Sequence, residues 1–123
     1  PGTLASNVDV APTLLALGGV NAPATMQGRS LLPALGANAA NIRDELLIEY
    51  YSDTEFPRVK GMGYKAVRTD RYKFIRYDEL RGMDEVYDLV KDPHELNNLL
   101  PDRVPPAVLA DLNARLDKLL SGR

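Results

Sequence analysis

The chain has 123 residues, a formal net charge of −2, 45% hydrophobic and 26% charged residues, and no cysteine. That length suits one modest domain with a core of its own, not two large ones, and the near-neutral balance excludes the basic excess of a dedicated DNA-binding domain. Without cysteine there is no disulfide framework, thiolate nucleophile or Cys-based metal site, and a single histidine, His94, leaves little for transition-metal chemistry. No apolar run approaches the roughly 20 residues that span a bilayer. The chain opens on Pro1-Gly2 with no Met and no secretory leader, as a piece of a longer protein would.

Residues 1–41 are small and apolar, with Asp9 and Arg29 as their only charges; from Arg43 onward charge and aromatic content rise, and all six tyrosines lie at or after Tyr50. A division near 43/44 follows from that shift. In the first part, SNVDVAPTLLALGGV predicts a helix capped by Asn7 or Asp9, with Pro12 tolerated in its first turn and Gly18-Gly19 ending it. Leu14, Leu15 and Leu17 supply its apolar face. So short and apolar a helix is expected to dock on a larger body, or to drive self-association when that body is missing. Ser30 then leads into LLPAL, a further helical turn interrupted by Pro33.

The second part has a different period. ELLIEYY, residues 45–51, is a strand, and the glycine- and proline-bearing loop Ser52–Gly63 follows it. Tyr64–Thr69 and Tyr72–Tyr77 form a hairpin about a tight turn, and Glu85–Leu89 is a fourth strand. KDPHELNNL predicts a turn into a short helix, with Asp92 as N-cap, Pro93 at the first helical position and Glu95 reaching back. Pro105–Leu120 is the strongest helix, placing Leu109, Leu112, Leu116, Leu119 and Leu120 on one face. The fold class is therefore α+β: a four-stranded antiparallel sheet packed with a C-terminal helix, preceded by a separate helical segment.

No catalytic constellation stands alone. There is no glycine-rich phosphate loop, no paired-histidine spacing and no nucleophile elbow. The hairpin YKAVRTDRYKFIRY interleaves five cations with four aromatic residues, the pattern of a strand that grips phosphate and stacks on bases. Its rings alternate between faces, however, as in a structural hairpin whose Lys and Arg stems lie over the core. Contact with an anionic glycan or a nucleic acid is the alternative. His94, next to Pro93, reads as a solvent-facing or capping side chain.

Four phrases in order, SNVDVAPTLLALGGV, MQGRSLLP, KAVRTDRYKFIRY and VYDLVKDPHELNNL, resemble the C-terminal end of type I sulfatases of the alkaline-phosphatase-like superfamily. The wording is most similar to bacterial N-acetylglucosamine-6-sulfatases and arylsulfatase-like enzymes. The resemblance implies that residues 1–43 are the terminal segment of a catalytic α/β domain and residues 44–123 the C-terminal subdomain. It implies hydrolysis of sulfate esters, on sulfated sugars, by a formylglycine beside a calcium ion. Formylglycine arises from a C/S-x-P-x-R motif, and Ser6, Ser30, Ser52 and Ser121 all lack the proline two residues on. Catalytic and metal positions are thus expected outside this chain, which alone would be inactive. Its partners would be the upstream catalytic domain and a sulfated sugar, without nucleic acid or membrane, in a periplasmic or secreted protein. Because the subdomain borders the cleft in that family, Arg58, Lys60 and Tyr64 around the loop are candidate substrate contacts. The plainer reading is a surface loop with Phe56 anchored in the core. A non-catalytic module holding an anionic polymer on its basic hairpin is the rival function.

Overall fold

In the computed structural model, which describes residues 3–35, 38–52 and 56–122, a 3-10 turn at Asn7–Asp9 runs into helix α1, Val10–Leu17. Gly19 ends the helix in the left-handed conformation (φ 71°), and the Val20 amide closes the last turn on the Leu15 carbonyl. This helix belongs to the first of two units, Pro1–Leu46; the second is Leu47–Arg123.

Asp9 does not cap α1. Its carboxylate accepts from the Ser6 amide at 2.8 Å and the Arg29 amide at 2.8 Å, and it pairs with the Arg43 guanidinium. The side chain is fully buried, so its two oxygens take every strong donor within reach and none is left for the helix amides. The Thr13 hydroxyl donates to the Asp9 carbonyl at 2.6 Å and accepts from the Leu31 amide at 2.9 Å, a second tie between helix and the QGRSLL segment. Gly28 permits that approach: a Cβ there would stand 1.9 Å from the Val8 carbonyl oxygen. The apolar face of the helix is open, with Leu14 63% and Leu17 66% exposed.

Strands β1 (Glu45–Tyr50), β2 (Tyr64–Thr69), β3 (Tyr72–Tyr77) and β4 (Glu85–Asp88) form one sheet in the order β1-β2-β3-β4. The β2–β3 hairpin pairs Tyr64 with Tyr77, Ala66 with Ile75 and Val67 with Phe74. The Thr69 hydroxyl secures its turn by accepting from the Tyr72 amide at 2.9 Å. Strand alternation sorts the side chains into two clusters. Val67, Phe74 and Val86 pack with Leu112 and Leu116 of helix α2, Pro106–Ser121. Ala66, Ile75 and Tyr87 lie on the opposite face under Tyr64, Tyr77, Ile48 and Leu89. The sheet is therefore buried on both faces at the hairpin, which explains why aromatics alternate along a sequence that also carries so much charge.

The short helix expected within residues 91–99 does not form. Glu95 adopts φ 54°, which a right-handed helix cannot contain, and its carboxylate pairs with Lys73 at 2.6 Å instead of reaching back to a cap. Asp92 keeps a turn-binding role, accepting from the Asn97 amide at 2.8 Å. Asn98 organises the rest: its side chain accepts from the amides of Val86 and Leu100 and donates to the Asp84 carbonyl. With the Leu99 amide on the Val86 carbonyl, this segment is stitched along the free edge of β4. Those long-range bonds replace the helical ones.

Candidate functional site

The loop between β1 and β2 has a braced base. The Gly61 amide donates to the Ser52 hydroxyl at 2.7 Å, and the Asp78 amide donates to the Gly63 carbonyl at 2.8 Å. Gly61 takes φ 74°, and a Cβ on Gly63 would meet Asp78 Oδ2 at 3.0 Å and the Ser52 nitrogen at 3.2 Å, so both positions favour glycine. Lys65 completes the base. Its ammonium lies 2.9 Å from Asp78 Oδ2 and 4.4 Å from the centroid of the Tyr51 ring.

The tip is exposed. Phe56 leads into a 3-10 turn at Pro57–Val59, where the Val59 amide closes on the Phe56 carbonyl at 3.0 Å. Pro57, with its fixed φ and missing amide, suits the first position of that turn. Arg58 and Lys60 are solvent-exposed and flank half-buried Val59. Phe56 is 66% exposed, so it is not anchored in the core. Asp53, Thr54 and Glu55 lie outside the described residues. Tyr64 is placed differently from the two cations. It is half-buried at the start of β2, stacked on Tyr50 at 5.7 Å between ring centroids and edge-on to Tyr77 at 5.9 Å. The three sequence candidates therefore divide: Arg58 and Lys60 stand on the exposed loop, and Tyr64 sits in an aromatic row on the sheet.

Tyr51 and Lys65 were not among the sequence candidates at this loop, and Phe56 was expected in the core, not on the surface. A phenylalanine beside proline in a polar, glycine-bearing loop was the available signal, and the rule that large apolar groups are buried hid it.

Elsewhere the ionisable groups serve the fold. Four of the five hairpin cations are ion-paired: Lys65 with Asp78, Arg71 with Asp88, Lys73 with Glu95 and Arg76 with Asp117. The hydrogen bond and charge of Arg71 hold the Asp88 carboxyl below its ordinary range. Burial, then the hydrogen bond each donates to Glu85, pushes the Tyr77 and Tyr87 hydroxyls above theirs. Tyr77 and Tyr87 reach the two Glu85 oxygens at 3.0 and 2.6 Å. His94 is exposed. Among the described residues, no three of His, Cys, Asp and Glu converge where a metal ion could be held. No helix among the described residues is long and apolar enough to cross a membrane.

A helix-backed antiparallel sheet, preceded in the sequence by a separate helical unit, agrees with the architecture expected of a C-terminal segment of the alkaline-phosphatase-like hydrolases. Residues 2–122 match the family described as N-sulphoglucosamine sulphohydrolase, C-terminal, and the chain belongs to that sulfatase family. It is 36% identical over 115 residues to the Delta 4,5-hexuronate-2-O-sulfatase of Bacteroides thetaiotaomicron, across 93% of this chain and 23% of the relative. The solved structure of BT4656 in complex with its substrate D-glucosamine-2-N,6-O-disulfate superposes with a TM-score of 0.80 and 29% identity, over 94% of this chain and 24% of that one. A phosphonate monoester hydrolase of Agrobacterium radiobacter superposes with a TM-score of 0.71 and 26% identity, over 98% and 25%. The chain thus spans about a quarter of the length of these proteins.

Proposed function

We propose that this chain is the C-terminal part of a sulfatase that hydrolyses sulfate esters on sugars. The observation that carries the proposal is the match of residues 2–122 to one sulfatase family, together with 36% identity to a hexuronate sulfatase. The formylglycine nucleophile and calcium belong to the preceding catalytic domain in this reading. Residues 1–43 are the last segment of that domain and residues 44–123 its C-terminal subdomain. This chain contributes to substrate binding and to the fold, and by itself it cleaves nothing.

Arg58 and Lys60 are the groups proposed to meet the anionic sugar, Arg through its planar fork and Lys as a mobile point charge. Tyr64, half-buried, holds the end of the loop through its stack on Tyr50 and is the third proposed contact. Exposed ion pairs are worth at most about 1 kcal/mol each. Replacing Arg58 and Lys60 together by alanine should therefore raise KM on a sulfated sugar roughly fivefold to thirtyfold, with kcat little changed. Steady-state kinetics of the full-length protein check this, and an unchanged KM would remove both residues from the binding site.

The rival function, an anionic-polymer module built on the basic hairpin, needs free cations sharing one open face. Pairing of Lys65, Arg71, Lys73 and Arg76 with carboxylates argues against it.

The upstream domain is also the proposed cover for Val10, Leu14 and Leu17, each more than half exposed. The isolated chain should self-associate through that face, and Leu14→Lys with Leu17→Lys should make it monomeric in sedimentation velocity. A wild-type chain that sediments as a monomer at high concentration would contradict the docking role. A periplasmic or secreted location goes with this reading, and recovery of the protein only in the cytosolic fraction would count against it.

A further inference from the structure

We infer that Phe56 is a stacking platform for a second sugar ring, so that the preferred substrate is a sulfated oligosaccharide and not a lone sulfated monosaccharide. This rests on the sulfatase reading above and adds to it a specificity-determining residue.

Three observations carry it. Phe56 is 66% exposed although a phenylalanine ring gains more than most side chains from burial. The base of the loop that presents it is braced: Gly61 is tied to Ser52, Gly63 to Asp78, and Lys65 is held between Asp78 and the Tyr51 ring. A braced base lowers the ordering cost of binding at the tip, which is what a recognition loop requires. The residues following Phe56 through the 3-10 turn are the exposed cations Arg58 and Lys60. An exposed apolar ring on the same short turn as two exposed cations matches a ligand with an apolar face and anionic substituents. A sulfated sugar has both, in the C–H face of the pyranose and its sulfate or carboxylate groups.

The test is steady-state kinetics of the full-length protein on a panel of sulfated monosaccharides and the matching disaccharides, with released sulfate measured directly. Phe56→Ala should raise KM on the disaccharide at least fivefold and leave KM on the monosaccharide within twofold, and Phe56→Trp should restore the wild-type value. Phe56→Trp also adds a fluorophore, read as the difference from wild-type emission, which should change on addition of the disaccharide and not of the monosaccharide. An equal effect of Phe56→Ala on both substrates, no effect on either, or cleavage of monosaccharides alone would overturn the inference while leaving the sulfatase reading standing. A fall in thermal midpoint with Phe56→Ala, and no change in Phe56→Trp emission on adding disaccharide, would show that the ring packs against the rest of the protein, which also overturns it. Failure of the wild-type protein to release sulfate from any member of the panel would sink the sulfatase reading itself.

Discussion

Replacing Asp9 by asparagine is expected to destabilise the first unit by about 3–5 kcal/mol, the usual cost of removing one partner from a buried ion pair. The carboxylate has no exposed surface, and the Arg43 side chain is only 10% exposed. One oxygen accepts from Ser6 and the other from both Arg29 and Arg43. Asparagine turns one of those oxygens into an NH2 group, so a donor faces a donor in either orientation, and the guanidinium loses its counter-charge. Burial alone would raise the Asp9 carboxyl. The Arg29 and Ser6 amides and the Arg43 guanidinium outweigh it and hold the group below its ordinary value. A depressed folded-state value means that the contribution is fully present above the unfolded-chain value of about 3.9 and is lost as pH falls through the folded value. Wild type should therefore lose stability below about pH 4 in urea titrations, and Asp9→Asn should be less stable at pH 7 with a flatter acid limb. Equal midpoints for the two proteins at pH 7 would remove Asp9 from its central place.

Gly28→Ala should cost about 3 kcal/mol, at the upper end of overpacking penalties. The new methyl would lie 1.9 Å from the Val8 carbonyl oxygen and 2.6 Å from its carbon, both backbone atoms that no rotamer change can clear. Relief requires the QGRS segment to move away from the start of α1, and the first bond lost is the Arg29 amide to Asp9. The two substitutions therefore act on one connection. Their double mutant should be less destabilised than the sum of the singles, by roughly 1–2 kcal/mol. Strict additivity in denaturant unfolding would mean that glycine and carboxylate act independently.

These two residues also mark where the sequence was readable and where it was not. The hairpin strands end at Thr69 and begin at Tyr72 as their alternation requires, because both faces of the sheet are buried and a one-residue slip would expose each face's core. Helix α2 was legible from leucines at spacings of three and four, and Leu112 and Leu116 are its buried pair. Asp9 looked like a cap because its true partners, Arg29 and Arg43, lie 20 and 34 residues away. The same distance problem hid the fate of Glu95: its charge partner, Lys73, is 22 residues earlier, and local capping rules cannot see it. At the loop, the two glycines and the cations were visible as a candidate site. The exposure of Phe56 was not, because an apolar residue in a short segment is assigned to the core unless the surrounding backbone is known.

The sharpest measurement is release of inorganic sulfate by the full-length protein and by the isolated chain, from glucosamine 6-sulfate and uronate 2-sulfate substrates, with a phosphonate monoester as control. The expected result is sulfate release from at least one sugar ester by the full-length protein, little turnover of the phosphonate, and none of either by residues 1–123 alone. Efficient phosphonate cleavage without sulfate release, or sulfate release by the isolated chain, would contradict the assignment of this chain as the substrate-side tail of a sugar sulfatase.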